Sequence, residues 1–332
     1  MTVRKNVALI FGGEGKESEI SRKSAKSLLS YIDRKLYTPL PIEIKKTGEW
    51  YISCGSGRSV TYPVYIDGKG GFISDGGIIP VSLAFICLHG DMGEDGNVQG
   101  ALTCAHIPYI GQDTYASALT CDKAYTKIIA EYLKIPTAPF KIFINEDVKT
   151  AKETAEEYLG YPMFLKPARL GSSFGASPVI SSSDFEKAYL DAAEFDGRVL
   201  AEKLISFEYE LECAFFEDKN KYFIPDGRIL TDGDFYGYKE KYGENSPKTE
   251  TNPKNDGAAR LAASYSSSLA KLLGIKRLSR FDYFVTHDGA VLFNEINTIP
   301  GMTEKSLYPA LTENIGLRKG DFVNRLIAEM LS

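Results

Sequence analysis

The chain opens on a short apolar run, Val7–Phe11, that stops at Gly12-Gly13, after which Ile20, Ser24, Leu28 and Ile32 recur at helical spacing. That order predicts a strand, a turn and a helix. Thr38–Ile44 alternates as a half-buried strand, and Val81–Leu88 is apolar enough for a strand covered on both faces. A helix at Asn97–Ala105 and a short strand at Pro108–Ile110 complete an α/β unit over residues 1–115, with the glycine-rich Asp67–Gly77 as a surface excursion. Beyond it, Ser117–Leu133 reads as one helix ended by Ile135-Pro136. Strands at Phe140–Ile144, Met163–Lys166 and Val199–Glu202, with helices at Lys149–Tyr158 and Asp184–Ala192, predict a smaller α+β domain over 116–206. The remainder, 207–332, holds strands at Glu210–Phe216, Tyr222–Ile224, Leu278–Val285 and Val291–Asn294, and helices at Ala258–Leu273 and Asp321–Leu331. The expected fold class is mixed α/β and α+β.

At 332 residues the chain is too long for one comfortable core. Its 43% hydrophobic and 25% charged content are those of a soluble globular protein. A net charge of −5 without a basic block argues against a nucleic-acid partner, so a polyanionic ligand would have to be met by a few placed lysines and arginines. Cys54, Cys87, Cys104, Cys121 and Cys213 are widely spaced and form no CxxC pair, which points to reduced thiols in a cytosol. No signal-like segment precedes the first strand, and no apolar run approaches the ~20 residues of a membrane span. The expectation is a cytoplasmic protein with no membrane partner.

Candidate chemistry concentrates near the C-terminus. In Asn294-Glu295-Ile296-Asn297, Glu295 and Asn297 stand at i and i+2 of a strand and share a face, while Leu278–Val285 reads as a partner strand carrying Arg280 and Asp282. Such oxygens suit Mg²⁺, and a site with few carboxylates implies bound phosphates completing the shell. Alone, the stretch also fits a hairpin with solvent-facing charges.

Other stretches add to it. The first loop, Gly12–Ser21, carries Gly13-x-Gly15 but has Ser18 where a dinucleotide fingerprint needs glycine, and its acids would repel a pyrophosphate. Glu17 is better suited to an ammonium. His89–Gly96 pairs glycines with a helix start, a plausible anion cradle, although a lone histidine is more often structural. Lys123 and Lys127 share a helix face that would ordinarily be solvated, whereas Lys166 ends an apolar strand and precedes the small-residue loop Gly171-Ser172-Ser173-Phe174-Gly175. Glu202-Lys203-Leu204-Ile205 and Glu210 could line an adenosine site or simply be a charged strand end. Asp234–Tyr242, aromatic and charged, reads as a lid over a water-sensitive site or as an anchored surface loop.

In order, these segments resemble the D-alanine–D-alanine ligase family of the ATP-grasp superfamily. The matching stretches are Gly12–Ser21, His89–Gly96, Asp122–Lys127, Lys166–Gly175, Phe235–Tyr242, Arg280–Asp282 and Glu295–Gly301, spread over nearly the whole chain. The chain departs from the family at Gly15, where serine is usual, and at Gly237, where aspartate is usual. The resemblance implies an ATP-grasp fold of three domains with the nucleotide between the central and C-terminal ones. It implies that Lys123, Lys166 and Lys241 hold the phosphates of ATP. Glu202, Lys203, Ile205 and Glu210 (with Glu208 its rival at the ribose) would hold adenosine. Asp282, Glu295 and Asn297 would hold two Mg²⁺, with Mn²⁺ able to substitute. Glu17 would meet the ammonium of a first D-alanine within a Glu17–Ser172–Tyr242 network, and His89 would lie by the substrate. Ser306 and the Leu307 backbone would hold the second carboxylate, and Arg280 and the Gly301 N–H would stabilise the oxyanion. The implied reaction joins two D-alanines through an acyl phosphate for peptidoglycan synthesis, in a homodimer. A D-alanine–D-serine ligase, another ATP-grasp carboxylate–amine ligase and a non-catalytic nucleotide-binding protein are the alternatives.

Overall fold

The computed structural model describes residues 4–54, 60–63, 65–219, 221–230, 248–251, 257–303 and 306–332. The first sheet has strand order Val60–Pro63, Trp50–Cys54, Tyr37–Ile44, Lys5–Gly12, Leu83–Ile86, Tyr109–Ile110. Lys5–Gly12 runs parallel to both of its neighbours, so its centre (Val7 to Ile10) is buried on both faces. Its C-terminal end delivers Gly12 (φ 95°), where a side chain would collide with the carbonyl of Ile44, and the chain then enters the helix Ser18–Tyr31. The Asp67–Gly77 excursion belongs to a separate three-stranded sheet of Tyr65–Ile66, Gly71–Ser74 and Gly77–Pro80, with Phe72 buried beneath it.

The predicted single helix at Ser117–Leu133 is two helices, Thr114–Cys121 and Lys123–Tyr132. Asp122 breaks it: its carboxylate accepts from the N–H groups of Ala124 and Tyr125, capping the second helix, and pairs with Arg198. A short acid that satisfies free helix-start donors competes with helix continuation at its own position.

A four-stranded antiparallel sheet follows, ordered Phe140–Ile144, Arg198–Lys203, Met163–Pro167, Ser177–Val179. Met163, Leu165, Val199 and Ala201 pack into a core with the helices Val148–Tyr158 and Phe185–Ala193. Strand alternation then turns Phe164, Lys166 and Glu202 to the opposite face.

The third sheet runs Lys248–Glu250, Asp226–Leu230, Tyr209–Asp218, Leu278–Val285, Val291–Asn297, with Lys221–Phe223 paired beside Tyr209–Asp218. Phe281, Tyr283 and Val285 pack with Ala262, Leu269 and Leu273 of the helix Gly257–Leu273, leaving Arg280, Asp282 and Phe284 on the other face. The pairing register shifts between Asp282 and Tyr283, so that Tyr283 faces Phe293 while Asp282 faces Glu295. This bulge reverses the parity of the last strand: Phe293 stays in the core and Glu295 and Asn297 turn to the open face. The sequence reading had ended that strand at Asn294.

The first and third sheets share a core in which Val7, Leu9 and Phe85 meet Phe216, Leu278, Tyr308 and Phe322. Gln112, buried to 1% exposure, fixes the join: its amide donates to the carbonyls of Lys276 and Leu278 (both 2.6 Å) and accepts from Lys276 N–H (2.7 Å). A buried amide with its hydrogen bonds met specifies one relative placement.

Candidate active site

Four polar side chains stand together on the open face of the third sheet. Arg280 grips the Asp282 carboxylate with two hydrogen bonds of 2.7 Å, the Asn297 amide donates to the same carboxylate at 2.9 Å, and Glu295 sits opposite Asp282 in the register. Glu212, facing Asp282 from the other side, lies 3.4 Å from Arg280. Burial alone would weaken the Arg280 cation, but Asp282 and Glu212 outweigh it and hold the guanidinium firmly charged. Lys123, at the start of its helix, reaches to 3.6 Å from Glu295 and donates to the Leu170 carbonyl at 2.8 Å. Burial opposes its charge as well, and Glu295 leads the groups that hold its proton above the ordinary lysine range. Among the described residues no three His, Cys, Asp or Glu side chains cluster as a metal site. The donor set is two carboxylates and an amide, hard oxygens on one face, which fits a small hard cation.

A cleft between the second and third sheets runs from this row. Ala138, Phe164, Phe207 and Phe284 make one end apolar, while Lys123, Lys166 and Glu295 line the other. Phe207 and Phe284 stack at 4.8 Å between ring centres. Ile205 and Glu210 line this cleft; Glu208 is exposed and outside it. Lys203 contributes backbone there, because its ammonium is committed to the carbonyls of Leu159, Gly160 and Tyr161 at 3.0 to 3.5 Å. Glu202 is clamped between two lysines, 2.5 Å from Lys127 and 2.6 Å from Lys166. Lys127 is thus not on a solvated face: only 1% of its side chain is exposed. Its i,i+4 relation to Lys123 was visible, but which side of the helix would be covered was not.

A second, larger cleft opens on the other side of Lys123 and Glu295, sharing with the first Leu170, Gly171 and Ser172. Glu17 projects into it. Its Oε1 accepts from the Ser172 hydroxyl, and its buried Oε2 finds no hydrogen-bond partner among the described residues. Burial raises the Glu17 carboxyl above its ordinary range, with the Ser172 bond opposing. Ser172 itself has φ 52°.

Across the cleft lie Gly301, Ser306 and Leu307. Ser306 precedes the helix Leu307–Asn314 with extended backbone, and its hydroxyl makes no capping bond, meeting Thr303 N–H (3.1 Å) and Thr303 Oγ1 (2.7 Å) instead. Among the described residues, no side chain at Ser306 then competes with an anion for the first-turn N–H groups. His89 is buried, with Nε2 3.2 Å from Ser24 Oγ, which also accepts from Met302 N–H at 3.3 Å. Burial lowers the His89 pKa to about 4, so the ring is neutral at pH 7. Glu94, not singled out from the sequence, accepts from Gly90 N–H (3.0 Å) and Ile299 N–H (3.2 Å), joining the His89–Gly96 loop to the turn that carries Gly301. Burial, then the charge of Glu17, pushes its carboxyl up to about 7. The expected lid residues Lys241 and Tyr242, and Gly237, lie outside the described residues.

The chain matches the family descriptions D-ala D-ala ligase N-terminus over residues 6–112 and D-ala D-ala ligase C-terminus over 129–328. It belongs to the D-alanine–D-alanine ligase family. The family consists of ATP-dependent, ADP-forming ligases with the ATP-grasp fold. A D-alanine--D-alanine ligase of Thermoanaerobacter sp. is 32% identical over 350 residues, covering 98% of this chain and 96% of the relative. The solved VanG D-Ala:D-Ser ligase of Enterococcus faecalis superposes with a TM-score of 0.89 at 33% identity, over 99% of this chain and all of that one. D-alanyl-alanine synthetase A of Vibrio cholerae gives a TM-score of 0.88 at 30% identity, over 100% of this chain and 99% of that one. Among the described residues no helix is long and apolar enough to cross a membrane.

Proposed function

We propose that this ligase joins two D-alanines to D-alanyl-D-alanine, releasing ADP and phosphate, as a step in making peptidoglycan precursor. The observation that carries the reading is the buried Glu17 Oε2, without a partner among the described residues, set in a cleft that shares Lys123 and Glu295 with the one lined by Lys166, Glu202 and Phe284. ATP lies with its base at the Phe164, Phe207 and Phe284 end, Ile205 and Lys203 offering backbone and Glu210 meeting the ribose. Glu202 reaches the base edge while holding Lys166. Lys123, Lys166 and the lid's Lys241 neutralise the phosphates. Asp282, Glu295 and Asn297 would hold two Mg²⁺ (Mn²⁺ substituting), which when bound offset charge on the phosphate oxygens.

The first D-alanine puts its ammonium on Glu17. One of its carboxylate oxygens attacks the γ-phosphorus, the bond to the bridging oxygen of ADP breaks, and an acyl phosphate forms. The second D-alanine sits with its carboxylate at Ser306 and the Leu307 N–H, and its neutral amine attacks the acyl carbon. Arg280 and the Gly301 N–H meet the oxyanion, phosphate leaves with the C–O electron pair, and the amine's proton is lost. Neutral His89, held by Ser24, lines the same cleft without adding charge. Tyr242, through Ser172, would close the lid against water, which otherwise hydrolyses the acyl phosphate.

The same reading divides the chain at residues 1–115, 116–206 and 207–332, with two sheets in the first part and one in each of the others, and makes the protein a cytoplasmic homodimer, which sedimentation would check. The test of function is ADP and phosphate release against a panel of D-amino acids and D-lactate, with products weighed by mass spectrometry. D-alanine-dependent ADP and a dipeptide are expected; AMP with pyrophosphate, or indifference to D-alanine, would overturn it. The likeness to a D-Ala:D-Ser ligase over nearly the full chain supports a second reading, D-serine as acceptor, which the same panel separates.

A further inference from the structure

We propose that Lys127 is a positioning residue for the phosphate end of the nucleotide cleft, acting through Glu202 on Lys166. The three side chains form a line of buried charge. Lys127 Nζ is 2.5 Å from one Glu202 oxygen, and Lys166 Nζ is 2.6 Å from the other. Their side chains are 1%, 6% and 11% exposed, so little water screens them. Lys166 and Glu202 line the cleft; Lys127 does not, and it touches no ligand in the arrangement proposed above. Its ammonium lies 6.0 Å from the centre of the Phe140 ring. Burial lowers the Lys127 pKa while Glu202 opposes, and the two lysines together hold Glu202 ionised, at about 2, against its own burial.

Charge counting gives Lys127 its task. With both lysines present the line carries one net positive charge, and Lys166 shares Glu202 with a competitor. Part of the Lys166 field is then available to an anion, and Asn294 Oδ1 at 3.4 Å steadies the ammonium on the other side. Without Lys127 the line is neutral, both carboxylate oxygens turn to Lys166, and a polyphosphate must compete with an undivided buried ion pair.

The inference rests on reading the cleft as the ATP site, and the experiment separates the two. Calorimetry measures ADP and adenosine binding to the parent, Lys127→Met, and the double variant Lys127→Met/Glu202→Gln, with thermal unfolding in parallel. In Lys127→Met, ADP should bind about tenfold or more weaker, the size of a lost charge-assisted interaction, while adenosine changes less than twofold. The double variant restores the net positive charge at Lys166 and should recover most of the preference for ADP over adenosine. If Lys127→Met does not fold, the double variant carries the test alone: an ADP-to-adenosine preference near the parent's supports the proposal, and its loss overturns it. Equal ADP affinity in parent and Lys127→Met overturns it, as does a parallel loss of ADP and adenosine. Failure of the parent to bind ADP would refute the nucleotide site itself.

Discussion

The Ser172 hydroxyl donates to Glu17 Oε1 across 155 residues of sequence, joining the turn after the first strand to the loop after Lys166 and leaving Glu17 Oε2 buried and unmet. A buried carboxylate oxygen with no donor costs stability unless a ligand supplies one, and an ammonium supplies both donor and charge. Glu17→Gln should therefore raise the KM for D-alanine at the first subsite by about tenfold or more, corresponding to roughly 1.5–3 kcal/mol for a hydrogen bond to a charged group, with the KM for ATP little moved. Initial rates at varied D-alanine and ATP check this. Equal effects on both substrates would place Glu17 outside the amino-acid site.

Gly90 has φ 67°, and a methyl built there falls well inside contact distance of Glu17 Oε2. Gly171 flanks the same oxygen, but a methyl there would sit 3.3 Å away and no left-handed backbone is demanded. Gly90→Ala is expected to displace the carboxylate and cost about 1–2 kcal/mol in backbone strain, losing most D-alanine turnover while staying folded. Gly171→Ala should keep a substantial part of it. Steady-state rates with circular dichroism distinguish the two, and equal activity in both would remove the steric argument.

The sequence carried the strands and helices whose periodicity was clean: Phe140–Ile144 and Leu278–Val285 were bounded to the residue. Glu295 and Asn297 shared a face as their spacing required. The bulge that puts them on the open face could not be read, because it is set by pairing with Asp282 and Tyr283 and not by local pattern. The break at Asp122 was hidden for a similar reason: helical spacing continues on either side of it, and only the folded chain shows its carboxylate capping the second helix and pairing with Arg198. Lys127 and Glu94 illustrate a third case. A charged residue at helical or loop spacing is solvated by default, and only the docking of one element against another covers it, wholly at Lys127 and in part at Glu94.

His89 and Glu94 give opposite pH signs. His89 is held neutral with a pKa of about 4, so it binds fewer protons folded than unfolded, and its burial costs more as pH falls from the ordinary histidine range toward 4. Glu94, with its carboxyl near 7, binds more protons folded, so stability is present below the unfolded value of 4.5 and is lost as pH rises through 7. Replacing Glu94 by Gln removes the second dependence. The parent's stability relative to Glu94→Gln should fall by roughly 1–3 kcal/mol between pH 5 and pH 8. Urea unfolding at those two pH values measures it, and a difference that stays level would show that Glu94 is ionised throughout.

Glu295 faces two demands at once. It balances the Lys123 ammonium 3.6 Å away, and it is one of only two carboxylates in the donor set proposed for Mg²⁺. Glu295→Gln keeps shape and hydrogen-bonding capacity while removing the charge, so the fold should survive: Glu295 lies on the open face of the sheet with 19% of its side chain exposed, and the core residues Phe293 and Ile296 beside it are untouched. Lys123 loses the first of the charges that hold its proton. Both losses weaken the neutralisation of a transferring phosphoryl group, whose transition state depends on positioned positive charge more than on any protein nucleophile. The expected result is a fall in kcat of about a hundredfold or more, close to 3 kcal/mol, with half-saturating Mg²⁺ rising in the same variant. Circular dichroism matching the parent, together with at least half its kcat and an unchanged Mg²⁺ dependence, would remove Glu295 from the metal set and leave it only as the partner of Lys123.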